Sequence, residues 1–137
     1  MKLPKLKINI YNQTHTHIPD RKRLRKLVNY IFKKEGNKSI TSINIIVADG
    51  SYLRRLNREF FGRNRTTNVI SFNLGELGEV YISRAQTREL FDLYYYLAHG
   101  LLHILGYDHK TKKDNELMEK KCLDYLNAFF ALEKNNL

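Results

Sequence analysis

A chain of 137 residues, 42% apolar and 28% charged, is expected to fold as one compact unit over residues 1–137, with no repetitive or Gly/Ser-rich stretch to act as a linker. Twenty-four Lys and Arg against fourteen Asp and Glu leave +10 at neutral pH, so the expected partner is anionic, nucleic acid before membrane. The only cysteine, Cys122, excludes an internal disulfide, the first ten residues hold no signal-peptide core, and the longest apolar run, Leu93 to Leu105, is too short to span a bilayer, which together predict a soluble cytoplasmic protein without a membrane partner.

Leu6, Ile8 and Ile10 alternate with Lys7 and Asn9 as in a half-buried strand. After the loop from His15 to Pro19, Asp20 is a good N-cap for a helix through Leu24, Leu27, Val28 and Ile31 that stops at Gly36. Thr41 to Ala48 is a β-branched strand, and Asp49 or Ser51 caps a second helix through Leu53, Leu56 and Phe60 to Gly62. Val69 to Phe72 and Glu79 to Ile82 are expected to pair antiparallel across a turn from Gly75 to Gly78. A long helical pattern runs from about Ser83 to Leu105, apolar on most sides near its end, and predicts the central buried helix. Thr111 and Asp114 cap a last helix through Leu117, Leu123, Leu126 and Phe130, where Met118 and Cys122 read as core. The order predicts an α+β fold: a mixed four-stranded sheet packed against about four helices.

Three of the five histidines fall between His99 and His109. On a helix His99 and His103 lie about 40° apart around the axis and roughly 6 Å along it, so both rings leave one face. An unbroken helix would turn His109 about 240° away from His103, so the helix has to end, and Gly106 can enter the left-handed conformation that ends it. The three are then expected to meet on one metal ion, on the central helix. The spacing is that of the long zinc-hydrolase pattern, in which the residue after the first histidine is the glutamate that takes a proton from water. Here that residue is Gly100. His15 and His17, in a polar loop, are not expected to be ligands.

The stretch from His99 to Gly106-Tyr107-Asp108-His109, together with Leu56-Asn57, Thr67-Asn68-Val69-Ile70-Ser71-Phe72 and Gly78-Glu79-Val80, resembles the YbeY family of bacterial ribosomal-RNA maturation factors. That resemblance implies a zincin-like α+β fold and a single-strand-specific endoribonuclease acting in 16S rRNA 3′-end maturation and ribosome quality control. It also implies one zinc ion on His99, His103 and His109 with a water, and partners in rRNA, the small ribosomal subunit and its assembly proteins. The family's arginine after the aromatic that matches Phe60 is Phe61 here, so Arg63 and Arg65 of the same loop are the candidates to supply that charge. Asn68 and Glu79 stand where the family pattern has aspartates.

Asp108 is the first candidate for proton acceptor and equally a candidate to orient a histidine, as is Asp92, two helical turns before His99. The run from Tyr94 to Tyr96 reads as core packing. A metallopeptidase is the alternative by spacing, with Gly100 against it, and a non-catalytic ribosome-assembly factor with a structural zinc is the other.

Overall fold

The computed structural model describes residues 5–84, 87 and 89–135. The elements are β1 (Lys7–Asn12), α1 (Arg21–Lys34), β2 (Ser42–Ala48), α2 (Gly50–Phe61), β3 (Val69–Leu74), β4 (Leu77–Ser83), α3 (Leu90–Ile104) and α4 (Lys112–Asn135). The expected α+β arrangement of a mixed four-stranded sheet and four helices is present. Strand order is β1-β2-β4-β3, with β1, β2 and β4 parallel and β3 antiparallel to β4 at one edge.

Register decides which side chains share a face. Ile10, Ile45, Val80 and Ser71 form one row across the sheet, and Ile8, Ile43, Gly78 and Asn73 the next on the same face. On that side the core is filled by Leu27 and Ile31 of α1 and Leu97 and Leu101 of α3, and α4, packed on α3, adds Met118, Cys122 and Leu126. The other face is covered more sparsely: α2 sets Leu53 and Leu56 on Ile46, Ala48 and Ile70. Cys122 is fully buried, and that burial pushes its thiol up to about 12, so it is a core group and not a nucleophile.

Several expected boundaries move. The first strand continues through Tyr11 and Asn12, because pairing with β2 holds residues beyond the alternating pattern. The hairpin turn is only Gly75 and Glu76, with Gly75 at φ 88 and its N–H held by Asn73 Oδ1 at 3.0 Å. Ser83 is strand, not helix: its N–H bonds the Asn68 carbonyl at 2.9 Å, and α3 starts at Leu90 behind Glu89. Residues 85, 86 and 88 of the expected longer helix, and residues 1–4 of the segment expected to hold no signal-peptide core, lie outside the described residues. In α4 the buried stripe is Met118, Cys122, Leu126 and Phe129, whereas Leu117 and Leu123 face outward. Asp20 does cap α1, accepting from the Arg23 N–H at 3.3 Å in a left-handed conformation that aspartate tolerates.

Candidate metal centre

The last turns of α3 and the loop after them carry the histidines. Gly106, at φ 107, closes the helix: its N–H bonds the His103 carbonyl and the Tyr107 N–H reaches back to Leu102, both at 3.0 Å. This is the paired reverse bonding of a Schellman end, in which a residue in left-handed space sends the chain back over the helix. The consequence is the expected one. A ring nitrogen from each of His99, His103 and His109 falls within a group whose members all lie within 4.8 Å of one another.

The donor set fits a metal ion. His99 Nε2 and His103 Nε2 are 3.1 Å apart, close to the roughly 3.4 Å between two ligands of a tetrahedral zinc site. His103 Nδ1 lies 3.0 Å from the Tyr107 carbonyl, an acceptor only, so Nδ1 carries the proton and the Nε2 lone pair faces the other two rings. Burial pushes His99 down to about 4, and the nearness of His103 and His109 adds to that. His103 is lowered by burial and by His109, with the Tyr107 carbonyl pulling the other way. These two imidazoles are therefore neutral at physiological pH, the form that binds metal. His99 Nδ1 is buried with no hydrogen-bond partner among the described residues.

The histidines line one side of a cleft of about 730 Å³. Its other walls come from the edge strand β3 with Asn68 before it, from Tyr95 and Tyr96 of α3, and from Phe61 and Arg63 at the end of α2. Polar ties hold these walls in place. Asn68 Nδ2 donates to the Tyr96 hydroxyl at 3.1 Å, Asn73 Nδ2 to the Ile104 carbonyl at 3.0 Å, and buried Asn57 to the Arg65 carbonyl at 3.1 Å. Arg63 lines the cleft, while exposed Arg65 stands outside its lining. Asp108 lines it too, with Oδ1 accepting from the His109 N–H at 2.7 Å and Oδ2 3.8 Å from Lys110 Nζ.

Two sequence readings are corrected here. Asp92 does not orient a histidine: its carboxylate accepts from the Glu89 N–H at 3.2 Å and caps its own helix. The group that orients His103 is the Tyr107 carbonyl, which no side-chain pattern announces. Of the tyrosine run, Tyr94 is core, at 1% exposure, but Tyr95 and Tyr96 face the cleft. Glu79 lies on the opposite sheet face from the cleft, accepting from Asn44 at 3.1 Å and from the Tyr81 hydroxyl at 3.2 Å.

Tyr107 is anchored from behind. Its hydroxyl bonds the Lys121 ammonium, which reaches Glu35 Oε2 at 3.0 Å, and the Tyr125 hydroxyl donates to the same carboxylate. Burial pushes the Glu35 carboxyl up, but the hydrogen bonds from Tyr125, Tyr107 and Lys121 outweigh it and hold the group below its ordinary range. A lowered folded-state value means stability that is fully present above the unfolded-state value and lost as pH falls through the folded one. Glu35→Gln should lower stability by about 1–2 kcal/mol at neutral pH. In thermal melts from pH 7 to pH 3 the gap to wild type should narrow once the pH is below about 4. A gap that stays constant to pH 3 would show that the ionised carboxylate contributes nothing.

The endoribonuclease YbeY family model matches residues 9–129. This chain belongs to the YbeY family. Among curated YbeY endoribonucleases, that of Geobacter sulfurreducens is 32% identical, covering 95% of this chain and 97% of the relative. That of Bacillus velezensis is 29% identical, covering 90% and 96%. A Thermotoga maritima protein solved in solution superposes with a TM-score of 0.56 at 25% identity, covering 94% of this chain and 93% of that one. The three histidines of this YbeY chain can hold a metal ion, and no helix among its described residues is long and apolar enough to cross a membrane.

Proposed function

We propose that this chain is a metal-dependent endoribonuclease, one hydrolase domain over residues 1–137, that cuts single-stranded RNA in the cleft beneath His99, His103 and His109. The observation that carries the proposal is the convergence of three imidazoles on the wall of a cleft of about 730 Å³, in a chain of the YbeY family. When bound on three neutral imidazoles, a zinc ion keeps its double charge and acts as a Lewis acid toward a phosphodiester. Tyr107 fixes the tautomer of His103, and Asp108 fixes the backbone of His109. Arg63 supplies the cation for an incoming phosphate at the far wall, and Arg65 sits one residue beyond Asn64 to extend that contact along the strand. Asp108 is the acceptor for the proton of an attacking water, through Oδ2, because Oδ1 is held by the His109 N–H. The family resemblance supports a cytoplasmic role at the 3′ end of 16S rRNA and in ribosome quality control, with the small ribosomal subunit and its assembly proteins as partners.

Two alternatives weigh less. Among the described residues the metal-capable group has three members, whereas a purely structural zinc is ordinarily closed by four protein ligands. A peptidase needs a base where this chain has Gly100. Single-turnover cleavage of a single-stranded rRNA fragment and its duplex, with metal analysis of the same preparation, tests the proposal. Cleavage of the single strand, about one metal per chain, loss on chelation and recovery with zinc are expected. Chelated, metal-free protein that cuts at the untreated rate would sink it.

A further inference from the structure

Phe60 and Phe61 end α2 with both rings more than half in solvent, at 61% and 52% exposure. They are not a frayed end. Gly62, at φ 66, caps the helix, with its N–H on the Arg58 carbonyl at 3.1 Å and the Arg63 N–H on that of Asn57 at 3.2 Å. The Arg54 guanidinium holds Asn64 Oδ1 at 3.0 Å, so the loop beyond is also tied back. Phe72 of the edge strand supports both rings. Phe61 lies nearly parallel to it, at 13° and 6.0 Å between centroids, and Phe60 meets it edge-on at 5.2 Å. Phe72 is braced in turn by Tyr81, edge-on at 5.9 Å.

An apolar aromatic patch on a soluble surface marks a binding site more often than a single exposed side chain does. What it binds is indicated by its place. Phe61 and Arg63 line the same cleft as the three histidines, and the segment from Arg54 to Arg65 holds five arginines and one acid, Glu59. A flat aromatic face beside guanidinium groups on a path leading to a hydrolytic site is the combination that takes a base and its phosphates together. A paired base has both faces covered by its neighbours, whereas an unpaired one can offer a face to a ring. Stacking here would therefore select single strands without reading sequence.

We propose that Phe61, backed by Phe72, is a stacking platform for one unpaired base of the RNA in the cleft, with Arg63 on an adjoining phosphate. The proposal rests on RNA being the substrate and adds where and how the strand is held. The test compares wild type with F61A, F61L and F61Y, each checked by thermal melt, using single-stranded RNAs in which one abasic nucleotide is moved stepwise along the strand. KM should rise roughly ten-fold in F61A and in F61L, which keeps apolar contact with Phe72 but has no ring, and F61Y should stay within about two-fold of wild type. One abasic position should cost wild type a similar factor and cost F61A nothing further. F61L with wild-type KM, or an abasic penalty that adds in full to F61A, overturns the platform. A wild-type protein that cleaves no RNA refutes the endoribonuclease itself, an outcome separate from RNA cleavage indifferent to Phe61.

Discussion

His103→Ala should lose bound metal and RNA cleavage together, cleavage by at least about 100-fold. The size follows from what His103 does. It supplies one of three ligand nitrogens, and its Nδ1–H bond to the Tyr107 carbonyl also ties the loop that brings His109 into place. Loss of a group that merely orients a ligand typically costs about 10–100-fold in affinity or activity, so loss of the ligand itself must cost more. Because His103 is half-buried, its removal can also disturb the loop, and His109→Ala separates the two effects. His109 is exposed beyond the helix end, so its variant should melt close to wild type while still losing metal. Tyr107→Phe makes the complementary cut, removing the hydroxyl held by Lys121 and keeping the carbonyl, so metal affinity should fall by no more than about ten-fold. Stoichiometric metal and wild-type cleavage in His103→Ala would end the assignment.

The metal group was legible in the sequence because it depends on short-range geometry. Helical pitch sets His99 against His103, and Gly106 is the one glycine between His103 and His109, able to turn the chain back at no steric cost, as its φ of 107 bears out. The first strand was legible through alternation, the second through its β-branched residues, and the antiparallel hairpin through two short apolar runs around its glycines. What the pattern missed depends on groups that carry no sequence signature or on competition between partners. The Tyr107 carbonyl belongs to any residue type. Asp92 does share a helical face with His99, but two turns separate them and the nearer backbone N–H of Glu89 takes its carboxylate. Leu117 and Leu123 are good core residues by type, yet the face of α4 that meets α3 is set by Met118 and Cys122. Phe61 looked like an absent arginine and is, in the fold, a supported ring on the cleft wall.

Gly100 should resist even the smallest side chain, and the sign of its effect on stability is diagnostic. In an exposed helix Gly→Ala stabilises by about 1 kcal/mol, because alanine loses less backbone entropy. Gly100 is buried where α3 crosses the sheet: a β-carbon would stand 2.6 Å from Val80 Cγ1 and 3.2 Å from Val69 Cγ2. Val80 cannot easily give way, being fully buried on a central strand with a stiff β-branched side chain. Overpacking of this kind costs about 1–3 kcal/mol, so Gly100→Ala should lower stability by up to about 2 kcal/mol net and the melting temperature by several degrees. A more stable Gly100→Ala protein would show that the helix does not press on Val80 at this point. The same contact should also block a peptidase base introduced at this position. A Gly100→Glu side chain starts toward Val80, which is outside the cleft lining, and would place an unpaired carboxylate in the close contact between α3 and the sheet. Gly100→Glu should therefore give insoluble or unfolded protein and no peptidase. If it folded, held metal and cleaved an unfolded protein substrate, the close approach of α3 to β4 would not be what separates this site from the peptidases.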